Sequence, residues 1–544
     1  MSADSQSRRV VIFSGKSHTP SMIEHVEAVA DAFPHWHLTV LQEHPPGPPW
    51  PHYLRTKLRR LRRQPVSYPL ELAWQAAAWF RRTHRPSATG AVRLPDQFED
   101  IARPNVDVRR CESLHHPDTT SLVHSLEPWL GLAIGAPILE PHLHRIPRHG
   151  TINLHKSLLP HYRGQPPGFW ELHDQTDRTG ATAHRVDDGI DTGDIIAQAA
   201  LPVPPYATPE GLAAQLDRLG TDVLIDALRR IDRGDTAPTP QHTTHAMPNR
   251  RPPWLTIRST RKRLTRRRSP RRSRHRPLRE LAKRIVLVAY VHLWAPIRNR
   301  VRRLRGRCHA TVLLYHRVSD DHLDSITVGI EQFNRHLEIL KRHYDVLDLP
   351  AFLRRRGQPR RRPCAVITFD DGYQDNLLAA MLLRRAATPA AFFLSTDIIT
   401  NNAAFPHDLQ RLHRRVPALS WDQVRRMAGW GFVIGNHTAT HARLSRLPLN
   451  QAIREIRSAE QELDRRLDRN GHERCLAYPY GNPGDITDDV RQALKANGID
   501  YCLSAYGGVN PPDFDPLNIL RQGVDHSFSP LAFRAAVEGW PSKA

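Results

Sequence analysis

Residues Thr151–Gly164 read TINLHKSLLPHYRG. A strand-like start runs into a Ser-Leu-Leu-Pro turn. Asn153 and His155 lie two apart, so on a strand both side chains face the same side. Working outward, Leu130–Leu139 (LGLAIGAPIL) is a second apolar strand with glycines at its exit. Arg9–Ser14 (RVVIFS) and His37–Leu41 (HLTVL) read as short strands with a helix between them. This alternation predicts a parallel, doubly wound sheet. Downstream, Thr208 can cap a helix whose first position is Pro209, where the missing N–H costs nothing. Leu212, Leu216, Leu219, Val223, Ala227 and Ile231 give that helix one apolar face, and Gly234 stops it.

Asp191, in DTGD, is bounded by Gly189 and Gly193 and can fold back towards Asn153 and His155. An amide, an imidazole and a carboxylate suit acyl transfer to an amine. Asn and His can hydrogen-bond the oxyanion of a tetrahedral intermediate, and a His oriented by a carboxylate can move a proton. No Ser or Cys nucleophile is required when the amine itself attacks. Each motif alone would pass as a hydrogen-bonded turn.

In family order, TINLHKSLLPHYRGQPPGFWEL, TGATAHRV and DDGIDTGDII resemble the formyltransferases that use 10-formyltetrahydrofolate. Those include methionyl-tRNA, glycinamide ribonucleotide and amino-sugar members. The likeness is strong over 145–235, and it implies a Rossmann-like fold. It also implies Asn153, His155 and Asp191 as the catalytic triad, with Ser157, Leu158, Leu159 and Pro160 as the turn beside the folate pocket. His184 has a looser counterpart and reads as structural. The tRNA-acting relatives carry a β-barrel after the catalytic domain. Here an Arg-rich stretch follows, which points to a small amine such as an amino sugar.

From about residue 240, Arg, Pro, Ser and Thr dominate up to about 277, a linker composition. The whole chain carries a net charge of +23, but residues 250–307 hold 22 Lys+Arg against one acid, Glu280. That segment alone is +21, so the charge does not belong to the folded domains. Its most basic run, RKRLTRRRSPRRSRHR (261–276), lacks interleaved aromatics, which argues against a stacking platform for single-stranded nucleic acid and against a specific nucleic-acid partner. A solvated linker is the simpler reading. The alternative is weak contact with an anionic membrane, to which the basic-flanked IVLVAYVHLWAPI (285–297) adds an interfacial anchor. At 13 residues, interrupted by His292 and Pro296, that run falls short of the roughly 20 needed to span a bilayer.

Strand signals restart at regular intervals beyond 309: ATVLLYHRV (310–318), YDVLDL (344–349), CAVITFDDG (364–372), AAFFLST (390–396), GFVIGNHT (431–438), CLAYPYG (475–481), YCLSA (501–505) and NILRQGV (518–524). Helical patterns between most of them predict an irregular (β/α) barrel. Asp370 and Asp371 can serve one site only where a strand ends and turns, which Gly372 permits. His437 and His441, four apart in HTATH, can converge on one ion. A carboxylate with two imidazoles suits zinc or a similar divalent ion with open positions. The second carboxylate can act as base on a water.

LLYHRV, TFDDGYQDN, FFLST, GNHTATHARL and AYPYGN occur in the order found in the polysaccharide deacetylase (NodB-homology) family, which this part of the chain resembles over 309–530. The resemblance implies Asp370 as base, Asp371, His437 and His441 as metal ligands, and the backbone around Tyr480 as an oxyanion holder. Many members place an arginine three residues before that tyrosine to steer the base. Ala477 stands there instead, as in a subgroup with a YPYG motif. His526 is the candidate general acid.

The five cysteines, Cys111, Cys308, Cys364, Cys475 and Cys502, form no CxxC pair, which argues against a disulfide framework and a zinc knuckle. The N-terminus shows no signal-peptide apolar run, so a cytoplasmic protein is expected, at most peripheral to the inner face of the membrane. The expected organisation is α/β throughout. A Rossmann-like formyltransferase domain spans 1–240, an Arg-rich linker with a short apolar helix 241–308, and a deacetylase barrel 309–544. The expected function is metal-dependent N-deacetylation and 10-formyltetrahydrofolate-dependent N-formylation of a small-molecule or lipid-linked amino sugar. Two alternatives stand beside it: separate substrates in one glycan pathway, or degraded catalytic folds on a membrane- or RNA-associating protein.

Overall fold

A computed structural model of the chain describes residues 8–15, 20–44, 103–164, 168–203, 209–235, 284–320, 324–412, 415–467 and 474–540, with isolated positions between these stretches. The chain forms two compact units, residues 1–83 with 95–270, and 84–94 with 271–544.

The first unit is built on β1 (Arg9–Ser14), β2 (His37–Glu43), β3 (Val106–Cys111), β4 (Leu130–Ala133), β5 (Thr151–His155), β6 (Arg178–Arg185) and β7 (Ile195–Pro202). Their order in the sheet is β3-β2-β1-β4-β5-β6-β7. Alternation along β1 shows why both faces are covered. Val10 and Ile12 pack with Val26 and Val29 of the helix Pro20–Ala32 and with Leu224 and Leu228 of the helix Pro209–Asp232. Val11 and Phe13 pack on the other side with Leu114, Val123 and Leu143. Strands β1 to β5 pair in parallel, as expected, but β6 and β7 extend the sheet antiparallel. The reversal has a local cause. After β5 the chain turns through the short helix Phe169–Asp174 and comes straight back along its own strand, with no crossover helix. The helix over Pro209–Asp232 has the expected apolar face, and Gly234 follows it at φ +72°. Thr208 lies outside the described residues.

Part of the stretch expected as linker packs on this unit. The Asn249 N–H donates to the Arg163 carbonyl at 2.8 Å, and Leu264 sits with Leu212 and Leu216.

In the second unit the strands are β8 (Ala310–Tyr315), β9 (Arg317–Val318), β10 (Thr327–Val328), β11 (Asp345–Val346), β12 (Cys364–Phe369), β13 (Ala391–Leu394), β14 (Val433–Asn436), β15 (Cys475–Ala477), β16 (Tyr501–Leu503) and β17 (Arg521–Gly523). Strands β9 and β10 pair apart. The others form one parallel sheet in the order β16-β15-β14-β13-β12-β8-β17, with β11 on β12. Each of the eight expected segments contributes one strand to it. A bridge between Leu503 and Ile519 ties the β16 edge to the chain entering β17, which nearly closes the barrel. No helix among the described residues is long and apolar enough to cross a membrane.

Candidate functional sites

The first site forms where β5 ends. Antiparallel register sets His184 of β6 directly opposite Asn153. The β6–β7 loop then brings Asp191 back over both. Gly193 makes that return possible, because a Cβ there would lie 2.0 Å from the Arg185 carbonyl oxygen. Asp191 is the hub. Its Oδ1 accepts from Asn153 Nδ2 at 3.3 Å, and its Oδ2 accepts from the Gly164 N–H at 2.9 Å. His155 Nδ1 lies 3.5 Å from Oδ2, and His184 Nε2 lies 3.5 Å from Oδ1. The His155 Nε2–H donates to the Tyr162 carbonyl at 2.9 Å. The structure therefore brings Asn153, His155 and Asp191 together. It adds His184, whose Nε2 is 3.1 Å from Asn153 Nδ2, so that residue stands within the cluster. The SLLP turn is held from β6 and β7: Leu159 N–H donates to Thr182 Oγ1 at 3.2 Å, and Gln198 Nε2 donates to the Leu159 carbonyl at 3.0 Å. The buried Ser157 hydroxyl donates to Glu171.

Burial pushes the Asp191 carboxyl up. The hydrogen bond from His184, the charge of His155 and the Gly164 N–H outweigh it, holding the pKa down at about 2. A depressed carboxyl stabilises the fold in full above its unfolded value of 3.8, and that contribution fades as pH falls through about 2. The shift is worth about 2 kcal/mol. Asp191→Asn should therefore narrow its stability gap from the wild type as pH is lowered from 5 to about 2. Urea denaturation of the two proteins across that range measures it, and a gap constant with pH would count against the hub.

The second site sits at the mouth of the barrel, on a cavity of about 410 Å³. Asp370 directly follows β12, and Asp371 comes next at φ +75° before Gly372 at φ +90°, so the adjacent carboxylates turn into one site. Asn436 shapes the HTATH loop: its Oδ1 accepts from the Thr438 N–H at 2.7 Å and its Nδ2 donates to Glu460 at 2.9 Å. Asp371 Oδ1 lies 3.3 Å from His437 Nε2 and 3.1 Å from His441 Nε2. That oxygen is buried and has no hydrogen-bond partner of good geometry. The His437 Nδ1–H donates to the Ala477 carbonyl at 2.8 Å, which leaves the Nε2 lone pair facing the carboxylate. An orphaned buried carboxylate oxygen beside two imidazole nitrogens fits a divalent cation, and the three ligand atoms lie within 4.8 Å of one another.

Asp370 is held differently. Arg521 of β17 grips it bidentately, Nη1 to Oδ1 at 2.7 Å and Nη2 to Oδ2 at 2.6 Å, while its Nε donates to the Ser504 carbonyl. Arg521 is fully buried. Burial opposes ionisation of Asp370, but the Arg521 and His437 charges win and lower its pKa. Ala477, where relatives carry an arginine, thus supplies a carbonyl to His437, and the guanidinium arrives from another strand.

Tyr480 lines the cavity, with Arg443 stacked over its ring. His526 does not line it. The turn after β17, closed by the Asp525 carboxylate on the Ser527 N–H, sets His526 outward with Nδ1 3.4 Å from the Ser325 carbonyl. His316 and His407 line the cavity instead. His407 Nε2 is 3.0 Å from the Tyr373 hydroxyl and 4.0 Å from Asp371.

Backbone strain marks both places. Ten described non-glycine residues have positive φ, and six of them stand at these sites: Tyr162 and Asp191 at the first, Asp371, Thr438, His441 and Tyr480 at the second. Such conformations cost energy and persist where surrounding structure fixes them.

Comparisons with known proteins agree with this division. Residues 87–228 match the formyl transferase family and 357–502 the polysaccharide deacetylase family. Methionyl-tRNA formyltransferase of Synechococcus sp. (strain JA-3-3Ab) is 40% identical over 109 residues, 20% of this chain and 34% of the relative. That of Citrifermentans bemidjiense is 30% identical over 174 residues, 32% and 55% of the two chains. The chain thus spans between a third and just over half the length of these relatives. Among solved structures, a Streptococcus pyogenes deacetylase in complex with acetate aligns with 42% of this chain and 98% of its own, at 19% identity and a TM-score of 0.36. Glycinamide ribonucleotide transformylase 1 of Symbiobacterium toebii aligns with 44% and 96%, at 17% and 0.30. The chain joins a formyl transferase domain to a polysaccharide deacetylase domain.

Proposed function

We propose that the chain is a bifunctional enzyme of amino-sugar groups, with the barrel removing an N-acetyl group and the first unit formylating an amine. One observation carries the reading. A deacetylase centre leaves an amine, and an Asn-His-Asp cluster built for acyl transfer to an amine stands on the same chain. In deacetylation, Asp370 takes a proton from the attacking water and passes it to the departing nitrogen as the acetamide C–N bond breaks, which leaves acetate and a free amine. Asp371, His437 and His441 would hold a divalent ion, zinc by the chemistry of the donor set, which supplies carbonyl polarisation and acidifies the water. The backbone of Tyr480, a residue that borders the cavity, would hold the oxyanion. In formylation, the sugar nitrogen attacks the formyl carbon of 10-formyltetrahydrofolate beside the SLLP turn. Asn153 donates to the developing oxyanion, the His155 Nε2–H does so once the oxyanion takes the place of the Tyr162 carbonyl, Asp191 orients both, and tetrahydrofolate leaves with the proton lost by the sugar amine on its nitrogen. Dependence on a folate donor places the reaction in the cytoplasm.

The curated relatives are named for methionyl-tRNA, which keeps that amine as a second reading for the first unit. Mass spectrometry decides between them. The purified protein is incubated with zinc, 10-formyltetrahydrofolate and a panel of N-acetylated sugar nucleotides, lipid-linked sugars and methionyl-tRNA. Loss of acetyl followed by gain of formyl on one sugar is expected. Formyl gain on methionyl-tRNA alone would overturn the relay.

A further inference from the structure

The helix over residues 284–304 packs one face and leaves the other bare. Leu287 and Val291 bury against Ala535 of the helix Pro530–Val537, and the Tyr290 ring meets Trp540 at 4.8 Å. Arg298 and Asn299 donate to Glu538 Oε2 at 2.7 and 2.9 Å, which fixes the helix to the barrel unit. The outward side is apolar. Leu293, Ile297, Val301 and Leu304 recur at steps of four, four and three, one stripe of the helix, and Val286 is exposed before the π-helical turn Tyr290–Trp294. Leu293 is 65% exposed, Ile297 60% and Leu304 82%, and Trp294 beside them is 58% exposed. Soluble surfaces scatter such side chains singly; here they are contiguous.

Charge says what covers them. Arg300, Arg303, Arg305 and Arg307 are exposed, and no acidic residue occurs from 281 to 319. Arg300 stands three residues after Ile297 and four before Leu304, so it borders the stripe. An apolar stripe bordered by arginines, with a tryptophan at its edge, matches an anionic bilayer surface, where aliphatic stems and rings enter the headgroup boundary and guanidinium groups meet phosphates. A protein groove would call for acidic partners as well as apolar ones, and nucleic acid would leave Leu293, Ile297 and Leu304 in water.

We infer that this helix is an interfacial anchor which lays the barrel unit on an anionic lipid surface without crossing it. The placement does not depend on what either catalytic site turns over. Co-flotation of the full chain with vesicles tests it, using phosphatidylcholine alone and phosphatidylcholine mixed with phosphatidylglycerol at roughly 0.1 M salt. Binding to the mixed vesicles is expected to exceed binding to the neutral ones at least tenfold. Leu293→Asp with Ile297→Asp should lower it by a further tenfold or more. Both positions are exposed, so the variant should keep the wild-type circular dichroism and melting temperature. Trp294 supplies a spectroscopic check, since the blue shift of emission on mixed vesicles should be lost in Trp294→Phe. Equal binding by the double aspartate variant would assign the affinity to the arginines alone and overturn the anchor. So would sedimentation showing that the stripe pairs two copies of the chain, or retention by RNA with none by vesicles.

Discussion

On the proposed mechanism, Asp371→Asn should abolish binding of a divalent ion and lower kcat/KM for deacetylation by roughly a thousandfold or more. The estimate follows from the site. Among the described residues, Asp371 contributes the only carboxylate oxygen that both imidazole nitrogens face, at 3.3 and 3.1 Å. An amide there keeps the shape but removes the negative charge that draws a dication between two neutral histidines. Loss of Lewis-acid polarisation removes several kcal/mol of transition-state stabilisation, and each 1.4 kcal/mol is about tenfold. Elemental analysis after exhaustive dialysis should find about one equivalent of metal in the wild type and little in the variant. Formyl transfer by the first unit serves as an internal control. A variant that kept its metal and its deacetylation rate would remove Asp371 from the centre.

How far such a site is legible in sequence depends on how local its parts are. Asp370, Asp371, His437 and His441 lie in two short stretches whose turns are written in the residues themselves, DDG and HTATH. All eight barrel strands were equally plain, because each is a short apolar run bounded by turn residues. Three strands of the first sheet were not read. β3, VDVRRC, is half polar and lies at the sheet edge, β6 (RTGATAHR) is rich in Ala, Gly and Thr, and β7 (IIAQAALP) is Ala-rich without polar alternation. His184 has only a looser family counterpart and so reads as structural; the antiparallel register is what places it opposite Asn153. His526 is a poor match to the histidine of the family's last motif, and its direction is decided by a turn that sequence does not show. His407, in FPHDL, carries no motif signal. Arg521 is the sharpest case. It lies 151 residues from Asp370, and in NILRQGV it reads as an ordinary strand residue. Barrel closure alone sets β17 beside β8 and turns its arginine inward.

Arg521→Met should therefore damage deacetylation without removing the metal. The guanidinium is fully buried and, among the described residues, its only carboxylate contact is Asp370, so replacing it leaves the buried carboxylate without its bidentate partner, a change that typically costs about 3–5 kcal/mol. It also frees the base from the fork that aims it, and we expect kcat to fall roughly a hundredfold or more with KM little changed. Metal content should stay near the wild-type value, because Asp371, His437 and His441 are untouched. Arg521→Lys restores a charge but not the paired N–H donors, and should recover stability more than rate. The double variant Arg521→Met with Asp370→Asn separates the two effects. Removing both charges should restore much of the lost stability, while activity stays absent because the base is gone. If the double variant were no more stable than Arg521→Met alone, the ion pair would not be what the buried arginine contributes. A single variant with full kcat would show that Asp370 keeps its aim without Arg521, so that the missing arginine at Ala477 would have no replacement and the site would need none.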